Sequence, residues 1–207
     1  MRAGPWWMAA GIVPTYAYQA KGAASLAASY VNLVGDPTYD AVPGANPPSL
    51  VAGGWLFNGI DQFLYSGNFG GVDADERMLM QYTTWNGAGV LFGVFDTSGG
   101  VRAFLIQAAG GPSMRAWYGD SFIDNPGSLL SGNYGLLNDT PARNGVSETP
   151  VTWGLPSVSL FVPTIGALNV NGTAAQFAGV TVSAFIRYGN PLTAGQLMQI
   201  ALAMAAL

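Results

Sequence analysis

The chain has 207 residues, 9% of them charged, with seven Lys+Arg against eleven Asp+Glu, a net charge of -4, and neither histidine nor cysteine. That length can bury a core of its own as one domain, while the missing His and Cys remove disulfides, thiolate chemistry, the usual zinc sites and Ser-His-Asp or Cys-His catalysis. No basic face is available for a phosphate backbone, so nucleic acid does not fit as a partner, and a surface far below the ordinary charge content of roughly 25% predicts homo-oligomeric self-association.

The chain opens with MRAGPWWMAAGIVP, one Arg before an apolar stretch that Pro5 and Gly11 interrupt. No run approaches the roughly 20 residues that cross a bilayer, so no membrane insertion is expected. The stretch reads as a structural arm, with Trp6 and Trp7 packed on the body or on a neighbour, and not as a cleavable signal. Residues 16–30, YAYQAKGAASLAASY, are alanine-rich, and their middle suits one or two helical turns. The next segment is punctuated by Pro37, Pro43, Pro47 and Pro48 and reads as irregular chain over the surface. Residues 1–50 are thus expected to form an arm and approach segment packed on the body, and residues 51–207 the body itself.

Strand signals then come at short spacing. Trp55 and Phe57 alternate in GGWLFNG, and Phe63 and Tyr65 continue the pattern in IDQFLYSG. Short apolar or aromatic runs follow at 78–85, 90–96, 101–108 and 114–119, each bounded by Gly, Asn or Asp. Gly99-Gly100 marks a hairpin, and Asn86-Gly87 suggests another. Residues 121–150 are rich in turn formers, with one strand expected around 134–137. Strands resume at VTWG, SVSLFVP, IGALNVNG and VTVSAFIRYG. Ten to twelve strands with no long helix between them predict two antiparallel sheets packed face to face, an all-β sandwich.

The last element changes period. Thr193 and Gln196 stand at capping-box spacing, and Leu197, Ile200, Ala201, Met204 and Leu207 recur at three and four residues, which predicts a short amphipathic helix docked by that stripe.

Few residues offer chemistry. Asp73, Asp75 and Glu76 form the one acidic cluster and could offer oxygen ligands to calcium, although no EF-hand spacing follows and Arg77 beside them suits a solvated loop. No other cofactor is expected. Sugar binding combines aromatic faces with planar hydrogen-bonding groups, and Trp85, Trp117, Tyr118 and Tyr134, with Asn86 and Asn133 nearby, are candidates of that kind. The competing reading of Trp85 and Trp117, on alternating strands, is core. Glutamates number two, Glu76 and Glu148, and neither lies in an alternating acidic strand. A hydrolase would need distant acids such as Asp96 or Asp120 to converge. Asn138-Asp139-Thr140 and Asn171-Gly172-Thr173 match the N-glycosylation pattern but read as turns.

The order of these pieces resembles the concanavalin-like, laminin-G-like jelly-roll family, in particular the versions found in phage structural proteins. Gly53–Gly67 is similar to the family's opening strand pair, with its Asn-Gly turn. Phe177–Leu207 is similar to the closing strand, whose tail here runs from Ile186 through Arg187, Tyr188, Gly189, Asn190, Pro191 and Leu192 to Thr193 and leads into the terminal helix. Ala17–Val42 resembles the approach segment of the phage versions. The resemblance implies a concanavalin-like jelly roll and a non-enzymatic structural protein on the surface of a virion, of tail, fibre or capsid-decoration type, in contact with other virion proteins. Its alternatives are a lectin-like module that attaches to cell-surface glycan and, less favoured, a jelly-roll carbohydrate-active enzyme. The fold carries little information about activity, since jelly rolls host unrelated functions.

Overall fold

The computed structural model describes residues 5–67, 77–86, 88–97, 102–108, 113–119, 121–126, 131–137, 140–147 and 161–207, with the backbone alone for 102–126. The chain is an antiparallel β-sandwich with one short C-terminal helix, the fold class its alternating strands predict. In chain order the described strands are β1 (Tyr16–Gln19), β2 (Val42–Pro43), β3 (Ser49–Val51), β4 (Gly54–Asn58), β5 (Leu64–Tyr65), β6 (Arg77–Thr83), β7 (Val90–Asp96), β8 (Arg102–Ala108), β9 (Ser113–Gly119), β10 (Ser121–Pro126), β11 (Gly132–Leu137), β12 (Thr140–Arg143), β13 (Val146–Ser147), β14 (Thr164–Ile165), β15 (Leu168–Val170), β16 (Thr173–Ala175) and β17 (Gly179–Tyr188). A four-residue helix, α1 (Leu26–Ser29), lies in the approach segment, and α2 (Ala194–Ala205) ends the chain.

The first sheet runs β13-β12-β11-β6-β17-β4-β3, and the second β10-β9-β8-β7-β14-β5-β2. The ten-residue β17 is the spine of the first. One side of it pairs with β6, and the other pairs with β4 over its first half and β1 over its second. At Ser183 the register with β6 shifts. A bulge of this kind reverses which face each later residue occupies. Val180 and Val182 therefore point into the sandwich before the bulge and Phe185 after it, while Ala184, Ile186 and Tyr188 point out. The turn from β3 to β4 presses on the same place. Gly54 has φ +126°, and a Cβ there would lie 2.1 Å from the Val182 carbonyl oxygen, so only glycine fits.

Between the sheets lie Trp55, Phe57, Met78, Met80, Tyr82, Phe92 and Phe185, with Phe161 packed against them. Tyr16 and Tyr18 stack on each other and on Phe185 with ring centroids 5.3 to 6.2 Å apart. The indole Nε1 of Trp55 donates to Ser29 Oγ at 2.7 Å, so α1 is fastened to the core by its last residue. Asn32, buried, accepts from the Ala17 and Val34 amides and donates to the Asp36 carbonyl, which ties the approach segment to β1.

The outer face of the first sheet is also covered. Trp6, Ala10, Leu79, Ile186, Tyr188, Leu197, Ile200 and Met204 form a second apolar layer, made by the N-terminal arm and α2 over β6 and β17. Trp6 Nε1 donates to Gln19 Oε1 at 2.8 Å, and the Tyr188 hydroxyl donates to the Trp7 carbonyl at 3.1 Å. Thr193 and Gln196 form the reciprocal capping box at the start of α2. Covering both faces explains why β6 and β17 read as nearly continuous apolar runs.

The structure departs from the sequence reading in three places. Tyr16–Gln19, expected only as part of the approach segment, is a strand of the first sheet. Residues 121–147 contribute β10, β12 and β13 besides the expected strand around Tyr134. Asn86 does not close a hairpin, because β6 and β7 belong to different sheets and the chain crosses between them there. Gly99-Gly100 and residues 151–160 lie outside the described residues.

Candidate functional site

The aromatic residues singled out from the sequence divide. Trp85 is 3% exposed, and its Nε1 donates to the Ala88 carbonyl; Tyr134 is fully buried opposite Met80. Both rings are core, which for Trp85 is the competing reading and for Tyr134 corrects its reading as a sugar platform: the inward position of a strand, or of the turn that leaves one, places an aromatic ring in the sandwich. Trp117 and Tyr118 lie on β9, opposite Phe122 and Ser121, and their side chains are outside the described residues. So are Asp73, Asp75 and Glu76, the calcium candidates, together with Asp120 and Glu148. Among the described residues, no three His, Cys, Asp or Glu side chains come together. Asp96 is buried at the end of β7. Asn133 is buried and donates to the Ala201 carbonyl, so it anchors α2. Asn171 sits in the turn between β15 and β16 with φ +49° and is tied to Thr97 by two hydrogen bonds.

A different set of side chains converges at the end of the sandwich where β4 finishes and β17 starts. Five segments meet there, and backbone bonds lace them together. The Asn86 amide donates to the Gly179 carbonyl, Val90 to Gln176, Ala178 to Gly166, and Gly44 to Phe63. Asn46 bridges to Gln62, and Gly59 lies against Gly179. Phe63 packs edge-on to Tyr65 at 5.2 Å and tilted to Phe177 at 6.1 Å, and Tyr65 and Phe177 remain part-exposed. The Phe63 ring lies directly over Gly44, where no side chain would fit.

Beside these rings stands a polar array. Asp61 accepts through Oδ2 from Asn46 Nδ2 at 2.7 Å and through Oδ1 from Asn58 Nδ2 at 2.8 Å. Asn58 Oδ1 accepts from the Ile60 and Asp61 amides, a local turn that fixes the carboxylate, and Gln62 Oε1 takes the Asn58 amide. Between them Ile60 projects, 73% exposed. An apolar projection, part-exposed rings and oriented planar amides are the groups that a sugar, with its C–H face and hydroxyl edge, can engage. None of these residues was singled out as a ligand contact from the sequence. The visible signals were the Asn58-Gly59 and Asn86-Gly87 pairs, which mark turns at this end.

The titration behaviour of the described residues concerns the core. Burial raises the phenols of Tyr18, Tyr82, Tyr188 and Tyr30 above the ordinary value of 10.0, with Tyr16 and Asp40 adding to Tyr18, and Tyr134 adding to Tyr82 while Arg143 opposes it. No helix among the described residues is long and apolar enough to cross a membrane.

No family model matches the chain, and no curated protein matches it. Its fold does match solved structures. A mutant of Trypanosoma rangeli sialidase displaying trans-sialidase activity aligns with 95% of this chain and 33% of its own, at a TM-score of 0.65 and 15% identity. Trypanosoma rangeli sialidase in complex with 2,3-difluorosialic acid, a covalent intermediate, aligns over the same shares at 0.60 and 16% identity, and the complex with sialic acid over 92% and 32% at 0.58 and 16% identity. The chain thus spans about a third of the length of these sialidases, and at such identity the likeness is one of fold. It corrects the expectation of a virion structural protein: what the fold matches is a stretch of these sialidases.

Proposed function

We propose that the chain is a carbohydrate-binding module of the concanavalin-like, laminin-G-like kind, holding its ligand at the loop end built from Asn46, Asn58, Asp61, Phe63 and Phe177. The single observation behind this reading is the convergence of part-exposed rings with amide and carboxylate groups fixed by their own hydrogen bonds, on a scaffold whose described interior is otherwise filled. Oriented groups on loops held by a rigid sandwich cost little reorganisation on binding. The fold shared with part of the sialidases supports the carbohydrate class.

The module binds and does not cleave. Glycoside hydrolysis usually sets two carboxyl groups about 5 to 9.5 Å apart across the bond. At the described loop end the acid is Asp61, and both its oxygens are engaged by asparagine amides. The test is a glycan array followed by calorimetry on the best ligand, with Phe177→Ala as the site variant. Binding that Phe177→Ala removes, with the circular dichroism spectrum unchanged, is the expected result. No binding to any glycan at millimolar concentration overturns the proposal, and release of chromophore from aryl glycosides overturns its non-catalytic part.

A further inference from the structure

From the charges around this same loop end, we infer that its ligand is an uncharged saccharide held through a vicinal diol, and that sialylated or otherwise anionic glycans are excluded. The inference rests on the carbohydrate-binding reading and adds the ligand class.

Asp61 brings a negative charge to the array, and no described cation balances it. Lys21 follows β1, with its amide on the Ser183 carbonyl halfway along β17. Arg77 and Arg187 lie at the far ends of β6 and β17 from Asn58 and Gly179. Arg143 pairs with Tyr134 on β11, the strand beyond β6. The register also places the Arg115 backbone level with Val90, but two strands away through Gln107, which is roughly 10 Å. A ligand carboxylate at the array would therefore meet a carboxylate with no described guanidinium to offset it, and recognition of carboxylates ordinarily rests on such a partner.

The array suits a neutral diol instead. An ionised carboxylate offers about four lone-pair positions, and the asparagines occupy one on each oxygen of Asp61. Each oxygen keeps a further acceptor position, and Asn46 and Asn58 each keep a second amide hydrogen. Acceptors flanked by donors in a fixed frame match two adjacent hydroxyls, each of which donates one bond and accepts another. Ile60 supplies apolar contact beside them.

The experiment compares neutral oligosaccharides with their sialylated and sulfated counterparts by calorimetry on the full chain, using wild type, Asp61→Asn and Ile60→Ala. The neutral ligand should bind at least about tenfold more tightly than its anionic counterpart. Asp61→Asn should weaken neutral binding and shrink that ratio severalfold. Ile60→Ala, which removes exposed apolar surface and leaves the polar frame intact, should weaken both ligands alike and keep the ratio. Equal or tighter binding of the anionic sugars overturns this inference and leaves carbohydrate binding standing. A ratio unchanged in Asp61→Asn, with the fold intact, removes the role given to that carboxylate. No binding to any sugar overturns the carbohydrate reading itself.

Discussion

Adding a single methyl group at Gly44 tests how the loop end is held. A Cβ there would lie 2.4, 2.5 and 2.8 Å from Cζ, Cε1 and Cε2 of Phe63. Comfortable carbon contacts are about 3.5 to 4.0 Å, so the ring must retreat by about 1 Å or more. It has little room, because Phe63 is buried and packed on Tyr65 and Phe177. Overpacking of this kind costs about 1 to 3 kcal/mol. Gly44 lies outside the left-handed region, so Gly44→Ala adds no backbone strain and regains about 0.4 to 1 kcal/mol by restricting the unfolded chain. At the midpoints of these ranges the net is about 1.3 kcal/mol of destabilisation, which lowers Tm by about 3 to 5 °C in a domain of this size. Gly22→Ala is the control. Gly22 has φ +79° and open space around its Cβ position, so that variant carries strain alone, about 1 to 2 kcal/mol, far from the loop end. Differential scanning calorimetry paired with glycan binding separates the two: Gly44→Ala should lose stability and affinity, Gly22→Ala stability only. If Gly44→Ala keeps wild-type Tm and affinity, Phe63 is not seated on that glycine and the site is wrongly built.

Three further outcomes follow from the packing. Thr193→Ala, which removes the side-chain acceptor for the Gln196 amide, should cost about 0.5 to 2 kcal/mol in urea denaturation. Tyr188→Phe deletes the bond to the Trp7 carbonyl, so it should cost about 1 kcal/mol and speed amide exchange in residues 6–11, where the arm meets the sheet. Stability should fall in alkali. Burial raises Tyr18, Tyr82 and Tyr188, so the unfolded chain loses these protons first as pH climbs past about 10, and each phenol contributes up to about 1.4 kcal/mol of lost stability per pH unit above that value. That contribution is fully present below pH 10. Denaturant midpoints measured from pH 8 to 12 should stay level to about 10 and then drop steeply, and a level profile throughout would show these phenols to be solvated.

Much of the fold was legible in the sequence because alternation and capping are local. Trp55 and Phe57 point inward as spaced, and α2 begins at its capping box and buries the stripe from Leu197 to Met204. What could not be read depends on partners distant in the chain. In YAYQ the alternating Tyr16 and Tyr18 are too short a strand signal to stand out before the alanine-rich residues that follow; pairing with Ala184–Arg187 makes the strand. The SFIDNP of β10 has poor strand propensity, yet six of its residues pair with β9. In β17 the outer layer of arm and helix hides the alternation, so the bulge at Ser183 leaves no mark in the run of residues.

The same distinction governs the site. Trp85 and Tyr134 looked like ligand platforms because they stand beside polar residues in sequence, but a strand sends neighbours to opposite faces and these rings go inward. Asn46, Asp61 and Phe177 come from three separate segments, and only the laced loops bring them to one end. The arm and α2 cover β6 and β17 on the outer face of the first sheet, its edge strands β1, β3 and β13 are short, and β2 ends one edge of the second at Pro43. Edges of this kind discourage strand addition, and the outer sides of β6 and β17 are taken up by the arm and α2. The loop end joins oriented polar groups to part-exposed rings, so binding is expected there and not along these edges.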